Sequence, residues 1–171
     1  MPRAIVLLGL MGCGKTTVGT LLARRLGRPF WDGDAHLEEL TGMTAARLAA
    51  ERGSTVLHRL EAEVLVRGVG QRPVAVVAAA AAAVLTPEIP ALLSGAWSVW
   101  LRADPALLAA RLARDGGHRP LPPGDLLGAL REMARARDPV YARIADLSVE
   151  VARTPPAELV RSLVARMPAD V

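Results

Sequence analysis

Eight residues near the start of the chain, Gly9-Leu-Met-Gly12-Cys-Gly14-Lys15-Thr16, have the types and spacing to hold a chain of phosphates. They fit G-x-x-x-x-G-K-[ST], set between a short apolar run and a segment of helical periodicity. Glycines in such a loop let successive backbone N–H groups turn onto phosphate oxygens, and the helix N-terminus adds positive potential. On this reading Gly12, Cys13, Gly14, Lys15, Thr16 and Thr17 bind a nucleotide. Lys15 reaches the terminal phosphates, and the Thr16 hydroxyl serves Mg²⁺. Lys15 is the single lysine of the chain; the other twenty basic residues are arginines. A compact ammonium on a flexible stem is not imitated by a planar guanidinium, so a chemical role is expected for it. Cys13, inside the loop, is expected to act as a small side chain and not in redox chemistry.

A second group is Phe30-Trp31-Asp32-Gly33-Asp34, two carboxylates at the end of a short apolar run. In an open parallel sheet the carboxyl ends of the strands face the ligand crevice. One carboxylate, Asp32, suits a hydrated Mg²⁺. The other, Asp34, suits orienting an acceptor hydroxyl and taking its proton late in transfer. Two solvated turn aspartates would have the same sequence. Arg119 lies in the Gly/Pro-rich stretch Asp115–Gly124. Closed over a nucleotide, it would neutralise charge on a transferred phosphoryl group; in a chain with twenty arginines it also reads as a surface residue.

The elements that must position these residues alternate between strand and helix. Ala4–Leu8 is a continuous apolar run, as a buried parallel strand requires. Lys15–Leu26 has helical spacing with Gly27 as its stop. Pro29–Trp31 reads as a strand, His36–Leu40 and Thr44–Arg52 as helices. A helix capped by Ser54 runs to about Arg67. Val74–Ala78 reads as a strand leading into the alanine run Ala78–Ala83, which favours helix by propensity and strand or loop by context. Pro87–Leu93, Pro105–Arg114, Asp125–Arg137 and Pro155–Met167 read as helices, Ser98–Leu101 and Leu147–Val151 as strands. Strands separated by helices imply an α/β fold, a parallel sheet with helices on both faces.

Composition sets the outer bounds. The 171 residues suit a single domain, residues 1–171, with half the residues hydrophobic and only five aromatic, so the core is built from Leu, Val and Ala. The net charge of +4 comes from dispersed arginines without interleaved aromatics, which argues against nucleic acid as a partner. One cysteine excludes an internal disulfide and fits a reducing cytoplasm. The N-terminal apolar run is not read as a signal peptide, and no apolar run is long enough to span a bilayer as a helix. A soluble monomer or weak homodimer, without membrane association, is expected.

Beyond the phosphate loop, the series Thr16-x-x-Gly19-x-x-Leu22-Ala23-x-x-Leu26-Gly27, Asp32-x-Asp34, Glu38-x-x-x-Gly42, Arg59-Leu-Glu61, Arg119-Pro-Leu and Arg137-x-Pro139-x-Tyr141 resembles the shikimate kinase family over nearly the whole chain. The resemblance implies a P-loop NTPase-type α/β/α fold with a five-stranded parallel sheet, a substrate-binding segment at about 33–62 and a lid at about 113–125. It implies ATP and Mg²⁺, with a small-molecule hydroxyl as acceptor. Lys15, Asp34 and Arg119 would be catalytic, and Thr16 and Asp32 would serve the metal. Arg111 and Pro156 would flank adenine, and Arg137 would bind the acceptor's carboxylate. His36 and His118 would stay outside the chemistry.

This sequence departs from the family in the acceptor half. Where the family has G-E-x-x-F-R-x-x-E, the chain reads Gly53-Ser-Thr-Val-Leu-His58-Arg-Leu-Glu61, so His58 replaces a carboxylate-binding arginine. Arg59 is adjacent, but neighbouring helical positions point in different directions. A three-glycine loop that approaches the substrate is replaced by Ala80, Ala81 and Ala82. His58 is then either an acceptor ligand of altered charge or a surface histidine. The expected function is ATP-dependent phosphorylation of shikimate or a related hydroxy acid or polyol. Gluconate kinases offer a neighbouring design, suggested by Gly33-Asp34-Ala-His36. A nucleotide-binding protein that has lost acceptor chemistry and acts through a partner is the alternative.

Overall fold

The computed structural model describes residues 2–114 and 124–171. Five strands form one parallel sheet: β1 (Ile5–Leu8), β2 (Phe30–Asp32), β3 (Val76–Ala78), β4 (Trp97–Arg102) and β5 (Leu147–Glu150). Their spatial order is β2-β3-β1-β4-β5, with Ile5 opposite both Val76 and Trp97. The chain leaves β1 toward one edge of the sheet and later crosses back to β4 on its other side. This reversal opens a crevice at the carboxyl end of β1, the usual ligand position in such sheets.

All four residues of β1 are fully buried, consistent with a run that has no polar face. The helices are α1 (Lys15–Leu26), α2 (Gly33–Thr41), α3 (Ala45–Arg52), α4 (Ser54–Val69), α5 (Ile89–Leu93), α6 (Pro105–Arg114), α7 (Leu126–Ile144) and α8 (Pro156–Arg166). Gly19 lets α1 lie directly on β2, since a Cβ there would come within 2.3 Å of the Phe30 ring. A second, smaller apolar cluster of Leu37, Leu48 and Val64 joins α2, α3 and α4. No helix among the described residues is long and apolar enough to cross a membrane.

The two helices expected from Lys15 and from Pro105 have the bounds their periodicity suggests. Other elements differ in instructive ways. Helix α2 begins at Gly33, three residues earlier than its apolar spacing suggests, because Asp32 caps it by accepting from the N–H groups of Asp34 and Ala35. Ser54 does not cap α4: Gly53 occupies that position, at φ 85°, and makes no side-chain cap. Helix α7 does not stop at Arg137 but continues through Pro139 to Ile144. Proline removes one backbone donor, yet Leu130, Arg137 and Tyr141 keep one face of the helix against the rest of the protein across it. In the alanine run, context overrides propensity. Ala78 ends β3, the Ala79 N–H donates to Leu7 O at 3.0 Å, and Ala83–Leu85 forms a single 3₁₀ turn.

Candidate active site

The phosphate loop follows β1 and is shaped by close packing. Gly9, Gly12 and Gly14 have φ of 140°, 80° and 99°. A Cβ on Gly9 would stand 2.7 Å from the Leu101 carbonyl of β4, and one on Gly12 would meet Leu112 of α6 at 3.1 Å. A side chain is therefore excluded at Gly9 by backbone, and at Gly12 it would crowd Leu112 and strain the positive φ. Helix α1 starts at Lys15 with no side-chain cap and no acid in its first turn. Its first N–H groups and the positive end of its dipole are thus left to a bound anion. The Lys15 ammonium lies back along the loop, donating to Gly9 O at 2.7 Å and Leu10 O at 3.2 Å. Cys13 is buried against the core, as its small-side-chain reading expects.

Thr16 and Asp32 meet at the mouth of this loop, the Thr16 hydroxyl donating to Asp32 Oδ2 at 2.7 Å. The other Asp32 oxygen caps α2 through Asp34 N at 3.0 Å and Ala35 N at 3.4 Å. One carboxylate thus joins the phosphate loop to the helix that carries Asp34. Gly33 between the aspartates packs against the end of β3, where a Cβ would come within 2.8 Å of Ala78 O. His36 lies behind this turn. It stacks on Trp31 with ring centroids 3.6 Å apart, and its Nδ1 is 2.8 Å from Asp32 O.

The acceptor-side residues converge from four helices. Glu61, on α4, is the point where they meet. It is 7% exposed and lies within the electrostatic reach of Asp34 from α2, Arg137 from α7 and Lys15 from α1. Burial, reinforced by Asp34, pushes its carboxyl up to about 7, against the lowering pull of Arg137 and Lys15. His58 lies one turn earlier on α4 and is half-buried. Burial and the nearby Arg137 guanidinium push its pKa below the ordinary histidine value, which keeps the imidazole neutral at pH 7. Arg59 is exposed, so it does not stand in for the missing cation.

Tyr141 fixes the far wall. It is fully buried, tilts against the Trp100 ring, and donates its hydroxyl to Ala81 O at 2.7 Å. That bond ties α7, with Arg137 one turn earlier on it, to the alanine loop after β3. Ala80 and Ala82 are buried, and no residue other than glycine has positive φ among the described residues. The loop therefore accommodates alanine without backbone strain, while its methyl groups fill space that glycines would leave open. Arg111 bridges the phosphate loop and the stretch after β5, donating to Gly12 O at 3.5 Å and Val151 O at 3.3 Å. Pro156 opens α8 nearby in sequence, on the surface. Thr17 is exposed in the first turn of α1. Arg119 and most of the expected lid lie outside the described residues.

A nucleotide loop, an acidic turn and an arginine-bearing helix thus share one crevice. The family model for shikimate kinase matches residues 11–168. A shikimate kinase from Symbiobacterium thermophilum is 43% identical over 147 residues, covering 85% of this chain and 84% of that protein. The chain belongs to the shikimate kinase family. It is a small-molecule kinase that transfers phosphate from ATP to a hydroxyl group. A shikimate kinase from Acinetobacter baumannii, solved in complex with shikimate, superimposes with a TM-score of 0.89 at 28% identity, covering 97% of this chain and 93% of that one. A gluconokinase from Sinorhizobium meliloti matches less well, with a TM-score of 0.62 at 25% identity, covering 96% of this chain and 90% of that one. The three- and four-residue offsets put His58 and Glu61 on one face of α4, and Arg137 and Tyr141 on one face of α7.

Glu61 is the residue whose function the sequence pattern left unassigned. Its signal was present: it falls in register with Ala62, Leu65 and Gly68, a carboxylate on the buried side of a helix. An acid in that position requires a partner or a raised pKa.

Proposed function

We propose that the acceptor is shikimate, phosphorylated by in-line transfer of the ATP γ-phosphoryl group. The observation that carries this reading is that Asp34, Arg137 and Lys15 all lie within electrostatic reach of the buried Glu61 carboxyl, which supports a shared neighbourhood for hydroxyl-orienting, carboxylate-binding and phosphate-binding groups. The closer fit to the shikimate-bound relative than to the gluconokinase supports the same choice.

In this mechanism the loop N–H groups around Gly12–Thr17 hold the phosphates. An ammonium has three donors; two of those on Lys15 are held by loop carbonyls, and the third serves the transferring group. Asp34 accepts a hydrogen bond from the acceptor hydroxyl and takes its proton late, when the bond to phosphorus has largely formed. Arg137 binds the acceptor's carboxylate, and His58 and Ala80–Ala82 line its remaining surface. Arg111 and Pro156 flank the adenine, and Arg119 stabilises charge on the phosphoryl group; the assignment of Arg119 rests on the family motif alone.

Thr16 and Asp32 fit Mg²⁺. They are two hard oxygen donors 2.7 Å apart at the loop mouth, and no group of three His, Cys, Asp or Glu side chains among the described residues forms a cage of its own. Such a sparse oxygen set suits an ion that keeps waters and takes its other ligands from phosphates. Held by Thr16 and Asp32, Mg²⁺ would supply charge neutralisation to the nucleotide phosphates. The setting proposed is a reducing cytoplasm, compatible with the free Cys13 thiol, with the chain acting as a monomer or weak homodimer.

ATP consumption with shikimate, gluconate and other hydroxy acids tests the assignment. Shikimate should be consumed with the highest kcat/KM. A preference for gluconate, or ATP binding with no acceptor phosphorylated, would contradict it.

A further inference from the structure

Helix α4 carries a charge arrangement that follows from the histidine at position 58. Glu61 is 93% buried, its Oε2 makes no hydrogen bond among the described residues, and neither does the buried Nε of Arg137. The groups acting on the Glu61 carboxyl are Asp34 from α2, Lys15 from α1, and Arg137 and Tyr141 from α7. From its own helix, His58 sits one turn away and faces Arg137. An arginine at position 58 would supply a cation of its own to this wall. The neutral imidazole does not, so with Lys15 held by the phosphate loop, Arg137 is the cation shared between Glu61 and an anionic acceptor.

We infer that Glu61 sets this kinase's affinity for its anionic acceptor: protonated, it leaves the Arg137 guanidinium to the acceptor's carboxylate, and ionised, it competes for that guanidinium and repels the acceptor. This inference rests on the acceptor reading above and gives Glu61 a specificity role within it. The direction of the effect follows from the charges. An acceptor carboxylate of ordinary pKa, ~4, stays ionised above pH 5.5, so the titrating partner is on the protein. Glu61 changes charge near pH 7, since burial among these groups raises its pKa to about 7. Acceptor binding should therefore be tight below that pH and weaken above it. If the neutral form alone binds well, KM for shikimate rises about tenfold from pH 6 to pH 8.

The test is KM and kcat for shikimate between pH 5.5 and 8.5 at saturating magnesium–ATP. KM for ATP is followed in parallel, because the terminal phosphate itself titrates near pH ~6. Wild type should show the rise in shikimate KM without a matching change in KM for ATP. Glu61→Gln keeps the shape and fixes the neutral form, so its KM should stay low and flat across the range. His58→Gln removes the imidazole and should keep the wild-type slope. His58→Arg restores a cation beside Glu61 and should flatten the profile. A flat wild-type KM with shikimate turned over, a slope that survives in Glu61→Gln, or a slope lost in His58→Gln would each overturn the inference while leaving the acceptor assignment standing. If shikimate is phosphorylated at no pH, the acceptor assignment fails and the inference falls with it.

Discussion

The nucleotide half and the acceptor half of this crevice are built from different material. The nucleotide half is mostly backbone: a loop bent by three glycines at positive φ, closed by Leu101 and Leu112, and continued by an uncapped helix N-terminus. The phosphate-binding loop itself lies within eight consecutive residues, Gly9 to Thr16. The acceptor half is made of side chains that arrive from α1, α2, α4 and α7, more than a hundred residues apart in sequence. Backbone recognition tolerates change at few positions and is preserved as a motif. Side-chain recognition can be rebuilt one residue at a time, and under the proposed acceptor assignment the histidine at position 58 and the three alanines after β3 are such changes.

The comparison breaks most visibly where the halves share a residue. Lys15→Ala should remove the cation that serves the phosphates and lower kcat by about 10³-fold or more, in line with the cost of deleting a charged transition-state contact. Turnover near the wild-type rate would contradict its assignment. A smaller effect, confined to the acceptor half, is expected for His58→Arg. A charge-assisted hydrogen bond contributes about 1.5–3 kcal/mol, so KM for shikimate at pH 8 should fall about tenfold or more while KM for ATP stays within about twofold. A rise in KM would mean that the pocket is shaped for another molecule.

Glu61→Gln also changes stability, and the sign is fixed by linkage. The folded pKa lies above the ordinary value of 4.5, so the native state holds the proton more tightly. Wild-type stability is then highest at or below about pH 4.5 on this account, falls as pH rises toward 7 and stays lower above it. The substitution removes that loss, and its benefit at pH 8 over pH 5 should be at most about 3 kcal/mol, read by denaturant unfolding at the two pH values. The smallest effect is expected for Tyr141→Phe. Losing the bond to Ala81 O should cost about 1–2 kcal/mol of stability and raise KM for the acceptor more than KM for ATP. Equal changes in both KM values would separate the alanine loop from acceptor recognition.

Much of this was legible from sequence where one short stretch carries the whole physical cause. The bounds of α1 follow from a helical pattern that starts at the loop and stops at Gly27, which adopts the left-handed conformation. The link between Thr16 and Asp32 was legible as two metal-type donors, but not as a hydrogen bond, because β2 and β1 are separated in the sheet by β3. The length of α7 was misread because a proline interrupts the local pattern while long-range burial of Leu130 and Tyr141 sustains the helix across it. The alanine run was undecided locally: its conformation is set by pairing with Leu7 and by the Tyr141 hydroxyl, both far away in sequence. Glu61 needed four helices in place before its environment could be described at all.

The division of the crevice into a nucleotide half and an acceptor half is tested most directly by Asp34→Asn, with magnesium–ATP binding and shikimate phosphorylation measured on the same preparation. On the proposed assignment the Asp34 side chain serves the acceptor half, so ATP affinity should stay within about twofold of wild type. The kcat for phosphorylation should fall by about 10²–10⁴-fold, the usual range for losing a positioned general base. Phosphorylation at the wild-type rate, or loss of ATP binding together with turnover, would contradict the account.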